Sequence, residues 1–166
     1  KNKSKYILVI LILNFLSLIN VYSNEPFNFN ITEIEITNNG NILKGYKGGT
    51  ATTDGGLKIE ADAFEYDKVL NILNAFGNVK ITDEINDYII LSEKITYVKN
   101  QEKIFTKGKT EAILESRYNF LSENVLLLKN QMILSSEKKS SLIDNDSYLY
   151  KFDKFNYSFY EGILKA

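Results

Sequence analysis

Four acidic residues recur at one period: Asp62, Glu93, Glu123 and Asp153 stand 31, 30 and 30 residues apart. They are the side chains with the most chemistry to offer, because the 166-residue chain contains no histidine and no cysteine. Acid–base work of the glycosidase kind needs two carboxyl groups within about 10 Å of each other, and a calcium loop gathers its oxygen ligands from about a dozen consecutive residues. One recurring acid in each unit of about 30 residues provides neither arrangement. The missing imidazole and thiol groups exclude the usual general base, the usual nucleophile and nearly all zinc sites. The chain therefore reads as non-enzymatic, with no metal and no other cofactor expected. At each position we read the acid as a corner carboxylate that accepts backbone N–H groups, in preference to a ligand or catalytic role.

The elements around the acids repeat with them. Ala61-Asp62-Ala63-Phe64-Glu65-Tyr66, Ser92-Glu93-Lys94-Ile95-Thr96-Tyr97, Ser122-Glu123-Asn124-Val125-Leu126-Leu127 and Phe152-Asp153-Lys154-Phe155-Asn156-Tyr157 align, and residues 35–45 hold a degenerate earlier copy. After the first three come the turns Asp67-Lys68, Lys99-Asn100 and Lys129-Asn130, then an apolar strand, then in two cases a glycine step at Gly77 or Gly108. A period of this length marks stacked supersecondary units, none of which can bury its apolar face alone.

Apolar residues alternate with polar ones over four to eight residues throughout, and only the N-terminal leader departs from this, so the fold is predicted to be all-β. The alternating runs include 31–36, 57–61, 64–66, 79–81, 88–91, 95–98, 112–114, 125–128, 132–134 and 148–152. Turn signals such as Asn38-Asn39-Gly40, Asp54-Gly55-Gly56, Gly77-Asn78 and Lys107-Gly108 are expected to separate them. Leu57, Ile59 and Ala61 share one strand face, whereas Phe64 and Tyr66 share a face offset by one position, which places a bulge or corner at Asp62-Ala63. Stacked units of this kind form two facing antiparallel sheets, an open jelly roll with free strand edges at both ends. The inward residues read as Ile59, Phe64, Tyr66, Ile72, Val79, Ile81, Ile90, Ile95, Tyr97, Ile104, Leu114, Phe120, Val125, Leu127 and Leu134. Each is an ordinary core residue on its own; together they would line a continuous apolar trough if the faces do not close completely. Eleven tyrosines and ten phenylalanines suit such a wall.

Lys1, Lys3 and Lys5 precede the apolar run Tyr6 to Ile19, and Val21-Tyr22-Ser23 follows. This is the pattern of a signal helix over residues 1–23 with cleavage after Ser23, leaving residues 24–166 as the domain; an uncleaved anchor is the alternative. Loss of the three lysines moves the formal charge from −1 to −4, since residues 1–23 carry no acid. A mildly acidic exported domain has no electrostatic grip on polyanions, so nucleic acid is not an expected partner. The chain begins without methionine and ends within a strand-like run, Phe155 to Leu164, so further sequence is expected at both ends, including the C-terminal end of the domain.

The units at 57–83 and 88–112, with the Ala61-Asp62-x-Phe64-x-Tyr66 element and the Gly77-Asn78-Val79 step, resemble the repeats of the OstA family of lipopolysaccharide transport proteins. The resemblance covers about residues 31–157 and weakens after Gly108, where Ser135-Ser136-Glu137-Lys138 replaces the glycine step. It implies a β-jelly roll (β-taco) whose trough, lined by the residues named above, shields the acyl chains of lipid A. It implies a periplasmic location associated with the outer membrane, most like the N-terminal domain of LptD, with the bridge protein LptA next and an anchored LptC-like form if the leader is retained. The implied partners are lipopolysaccharide, an LptA-like bridge, and, for the LptD type, an outer-membrane barrel and an LptE-like lipoprotein. Docking would proceed by strand addition at the N-terminal edge, with Phe27, Phe29, Ile31, Ile34 and Ile36 as its residues. An exported β-solenoid adhesin or surface interaction module fits the repeat as well but needs no trough. The transport reading demands a half-open apolar channel, and a sealed interior would count against it.

Overall fold

The computed structural model describes residues 26–166, so the expected signal helix lies outside the described residues. Among the described residues fourteen strands form one continuous antiparallel sheet: β1 (Asn28–Thr37), β2 (Ile42–Thr52), β3 (Leu57–Ala61), β4 (Ala63–Asp67), β5 (Ile72–Asp83), β6 (Tyr88–Val98), β7 (Lys103–Leu114), β8 (Tyr118–Glu123), β9 (Leu126–Leu128), β10 (Ile133–Ser136), β11 (Ser140–Ile143), β12 (Leu149–Phe152), β13 (Phe155–Ser158) and β14 (Ile163–Lys165). The all-β jelly roll read from the alternation is the fold observed, its two facing layers being two halves of a single creased sheet.

The pairing shows how the crease arises. The first half of β5 pairs with β4 and its second half with β3, and β2, on the other side of these short strands, divides between them in the same order. In the same way β7 gives its second half to β8 and its first half to β9. Long strands therefore run from one leaf into the other. Short strands stop at the bend. The first leaf continues through β8, β11 and β12, and the second through β9, β10, β13 and β14.

Every repeated acid lies on this crease, exposed on its outer side. Asp62 forms the corner most completely. Its N–H donates to the carbonyls of Phe76 and Gly77 at 3.1 and 3.0 Å, its carbonyl accepts from Gly48 N–H at 2.8 Å, and its Oδ2 accepts from Asn78 Nδ2 at 2.8 Å. Gly77-Asn78 and Lys107-Gly108, expected to end strands, instead lie inside β5 and β7, where they bend the chain without breaking it. Gly77 and Gly108 sit at φ of +71° and +81°, the left-handed region that an L side chain adopts at a cost. A register shift between Phe76 and Val79 absorbs the extra residue.

Alternation sends one set of side chains between the leaves. On the first leaf the cross-strand row Ala51, Ile59, Ile81, Ile90, Ala112 and Phe120 is at most 1% exposed. On the second, Tyr66, Leu73, Tyr97, Ile104, Leu127 and Leu134 form the matching row, again at most 1% exposed. Burial of each large apolar side chain in these rows is worth about 1.5–3 kcal/mol, which offsets the entropy of ordering the chain. At the bend the strands turn backbone groups away from their ladder partners, and buried hydroxyls take them up: Thr106 Oγ1 accepts from Val125 N–H at 2.7 Å, and Ser136 Oγ donates to the Glu123 carbonyl at 2.7 Å.

Candidate functional site

The space between the leaves is the candidate site. Ile59, Phe64, Tyr66, Val79, Ile81, Ile90, Ile95, Tyr97, Ile104, Leu114, Phe120, Val125, Leu127 and Leu134 all face into it and are buried. Ile72 does not. It pairs with Asp67 and Val98 on the outer face, and its neighbour Leu73 takes the inward position, because alternation in the first half of β5 runs through Leu73 and Ala75. The inner surface is thus continuous across the stack, but the half-open channel expected from the sequence is not what forms: through its middle the two inner faces meet, and their own side chains close it to water. Aromatic rings bridge the leaves: Phe120 stacks on Phe155 with centroids 4.8 Å apart, and Phe27 meets Tyr66 and Tyr97 edge-on at 5.2 and 5.5 Å.

The inner surface becomes exposed at the two ends. Ile34 pairs with Gly45 and Ile36 with the inward Leu43, so both point to the inner side, yet they are 46% and 60% exposed. At the far end Tyr150 pairs with the inward Leu142 and is 47% exposed. The outer edge of β1 carries no partner strand among the described residues, and β12 and β14 end the two leaves at the other extremity. Of the residues expected at the docking edge, only Ile34 and Ile36 are available to a partner. Phe27 is fully buried, and Phe29 and Ile31 pack against the core, because this half of β1 belongs to the first leaf and its inner side is already covered.

Opposite the crease the hairpin turns of the two leaves face each other across a mouth. The first leaf's turns carry Asp54, Glu84, Asp87, Glu115, Asp144 and Asp146, with Arg117; the second leaf's carry Lys68, Lys99 and Lys129, with Glu102 and Glu161. Asp83, at the end of β5, is the buried charge here, with a fully covered side chain. Its Oδ2 accepts from Lys129 Nζ of the opposite leaf at 3.4 Å and from Asn86 Nδ2 at 3.0 Å, and its Oδ1 accepts from Asn86 N–H at 3.0 Å. Burial alone would raise this carboxyl, but the Asn86 hydrogen bonds and the Lys129 ammonium outweigh it and hold the group below its ordinary range. Tyr157 OH of the second leaf donates to Glu115 Oε1 of the first at 3.0 Å. Tyr97 OH donates to Glu102, which also pairs with Lys99. The Tyr88 hydroxyl, near the Asp83 carboxylate, is buried without a well-formed hydrogen bond, and its ring lies 5.7 Å from Phe159 of the other leaf. Burial raises the pKa of Tyr88, Tyr97 and Tyr157, so all three remain protonated.

Asp83 escapes a reading that follows only apolar residues. Its signal is phase: Val79, Ile81 and Asp83 occupy alternate positions, which sends the carboxylate inward with the core. A shallow depression of about 720 Å³, lined by residues such as Lys80, Leu91, Lys109 and Glu111, draws on one leaf only and so lies outside the interleaf space. No group of three or more acidic side chains suited to a metal ion gathers among the described residues.

The architecture defines a class, the creased β-jelly roll with an apolar interior and free strand edges. Among solved structures the chain is similar to LptH of Pseudomonas aeruginosa, described as the LptA-homologous periplasmic component of a conserved lipopolysaccharide transport device, with a TM-score of 0.51 and 13% identity over 86% of this chain and 82% of that one. At that identity the likeness establishes the fold. No family model and no curated protein matches the chain. No helix among the described residues is long and apolar enough to cross a membrane.

Proposed function

We propose that this chain is a periplasmic jelly roll of lipopolysaccharide transport, carrying acyl chains between its leaves while the sugars stay in water. One observation carries the reading: an inner surface that is apolar along its middle rows, polar only at the mouth and the bend, runs the length of the stack and is exposed at both ends. A core serving stability alone gains nothing from leaving Ile34, Ile36 and Tyr150 in water on its inner side, whereas a carrier joined end to end continues its lining into the next molecule. Free edges at β1 and at β12 and β14 supply the main-chain groups for such joining.

The sealed middle counts against a channel that stands open, so the reading holds only for a jelly roll that opens to take up its cargo. The leaves must part at the mouth for a chain to enter, which exposes side chains that are now 0–2% accessible. An entering acyl chain covers them again and is itself removed from water at about 0.8 kcal/mol per methylene, on the order of 10 kcal/mol for a dozen carbons. Apolar surface is exchanged for apolar surface, with no bond made or broken, so the exchange calls for no reactive group. The likeness to an LptA homologue supports a bridge-type component at least as well as the N-terminal domain of an LptD-type translocon; an outer-membrane barrel and an LptE-like lipoprotein belong to the translocon form alone.

The test is site-specific photo-crosslinking. Probes at Phe64, Tyr97 or Leu127 should capture lipopolysaccharide, and probes on the rim at Lys68 or Lys99 should capture far less. Capture only at the rim would mean that lipid does not enter between the leaves, and an adhesin-type module would capture none at any position.

A further inference from the structure

We infer that the mouth is fastened by a polar clasp, the Lys129–Asp83 ion pair together with the Tyr157–Glu115 hydrogen bond, and that opening this clasp lets the leaves part about the crease. The inference rests on the carrier reading for its purpose but not for its geometry. Both contacts join opposite leaves, at 3.4 Å and 3.0 Å, and both lie at the turn ends remote from the bend. The rims differ in charge: the first leaf's turns carry six acids and Arg117, a net −5, and the second leaf's carry three lysines and two glutamates, a net +1. Asp83 is fully covered and Lys129 nearly so at 14%, so the pair is sheltered from the salt screening that weakens exposed pairs.

A polar fastening suits a mouth that must open. When an apolar seam separates, its surface gains nothing from water, whereas a separated carboxylate and ammonium are rehydrated, which lowers the free energy of the parted state. The crease is tied differently, by backbone bonds at Asp62 and by the reciprocal bonds between Gly108 and Asn124, where Gly108 N–H donates to Asn124 Oδ1 at 2.9 Å and Asn124 N–H to the Gly108 carbonyl at 3.1 Å. Those bonds hold whether the leaves are closed or apart.

Native-state amide hydrogen exchange on the intact chain tests this without any cargo. Lys129→Met strands the Asp83 carboxylate, and amides at the mouth, in 83–88 and 127–134, should exchange about 10- to 100-fold faster while crease amides near Asp62 and Asn124 are unchanged. Adding Asp83→Leu replaces the pair by apolar contact and should return mouth exchange to within about 3-fold of the parent. Tyr157→Phe, which removes only a hydroxyl, gives a milder opening and serves if Lys129→Met does not fold. Unchanged exchange at the mouth, or equal acceleration at mouth and crease, overturns the clasp. Uptake of cis-parinaric acid, a fluorescent fatty acid, reads the second question: it should quicken in Lys129→Met and slow in the double variant. If mouth exchange responds as expected but no form takes up the probe, the clasp stands and the carrier reading fails.

Discussion

Alanine at Gly77 and at Gly108 makes the same covalent change in two bends of equal backbone strain, with different surroundings. At φ of +71° and +81°, either alanine enters the left-handed region, which disfavours an L residue by about 1–2 kcal/mol. A Cβ on Gly108 meets no atom within 4 Å, so that penalty is the whole effect. A Cβ on Gly77 would lie 2.5 Å from Asp62 Oδ2 and 3.1 Å from Asp62 Cβ and Cγ. The carboxylate must move, and its 2.8 Å bond from Asn78 is lost. For an exposed side chain that bond is worth about 1 kcal/mol. Gly77→Ala should therefore destabilise the domain by about 2–3 kcal/mol and Gly108→Ala by about 1–2 kcal/mol. At roughly 3 °C per kcal/mol, the first variant should melt about 6–9 °C below the parent. Urea unfolding followed by circular dichroism at the β-sheet minimum measures both, and a cycle with Asp62→Ala isolates the contact: that substitution should lose about 1 kcal/mol in the parent and almost nothing when Gly77→Ala is already present. Equal losses at the two glycines, or strict additivity in the cycle, would refute the assignment of Asp62 as the corner that holds the crease.

Two further outcomes follow from the mouth and the ends. Because the Asp83 carboxyl is held below its unfolded value, its contribution to stability is fully present above about pH 4 and is lost as pH falls through the folded value; Lys129→Met should flatten that acid dependence in urea midpoints measured from pH 6 to pH 2, and an unaltered slope would remove Lys129 from the cause. Ile34→Lys with Ile36→Lys puts charge on inner-side positions that are 46% and 60% exposed, so stability should change by less than about 0.5 kcal/mol while end-to-end association with an LptA-type jelly roll is lost; retained co-purification of the variant with that partner would exclude these residues from docking.

Much of this molecule was legible from local pattern. The 31, 30 and 30 spacing of Asp62, Glu93, Glu123 and Asp153 marked the line along which the sheet bends, and alternation around each acid assigned nearly every inward side chain. Both signals are local, since a pleated strand sends neighbouring residues to opposite sides whatever lies beyond it. The misreadings occurred where a long-range partner decides. Ile72 and Leu73 are both apolar and adjacent, and only pairing with Tyr66 and Tyr97 selects Leu73 as the inward one. Gly77-Asn78 has the composition of a turn, yet β5 runs through it because β6 continues pairing on both sides.

The sequence alone determined that the chain is built of repeated strands with an apolar side, and that it lacks the groups for histidine or cysteine chemistry. Only the tertiary structure decided how closed the interior is, which ends of its lining meet water, and that Asp83 finds Lys129 from 46 residues away across the mouth. The reason is the range of the forces concerned. Strand periodicity follows from the geometry of successive residues, while closure and charge pairing depend on side chains that only the folding of one leaf over the other brings within contact distance.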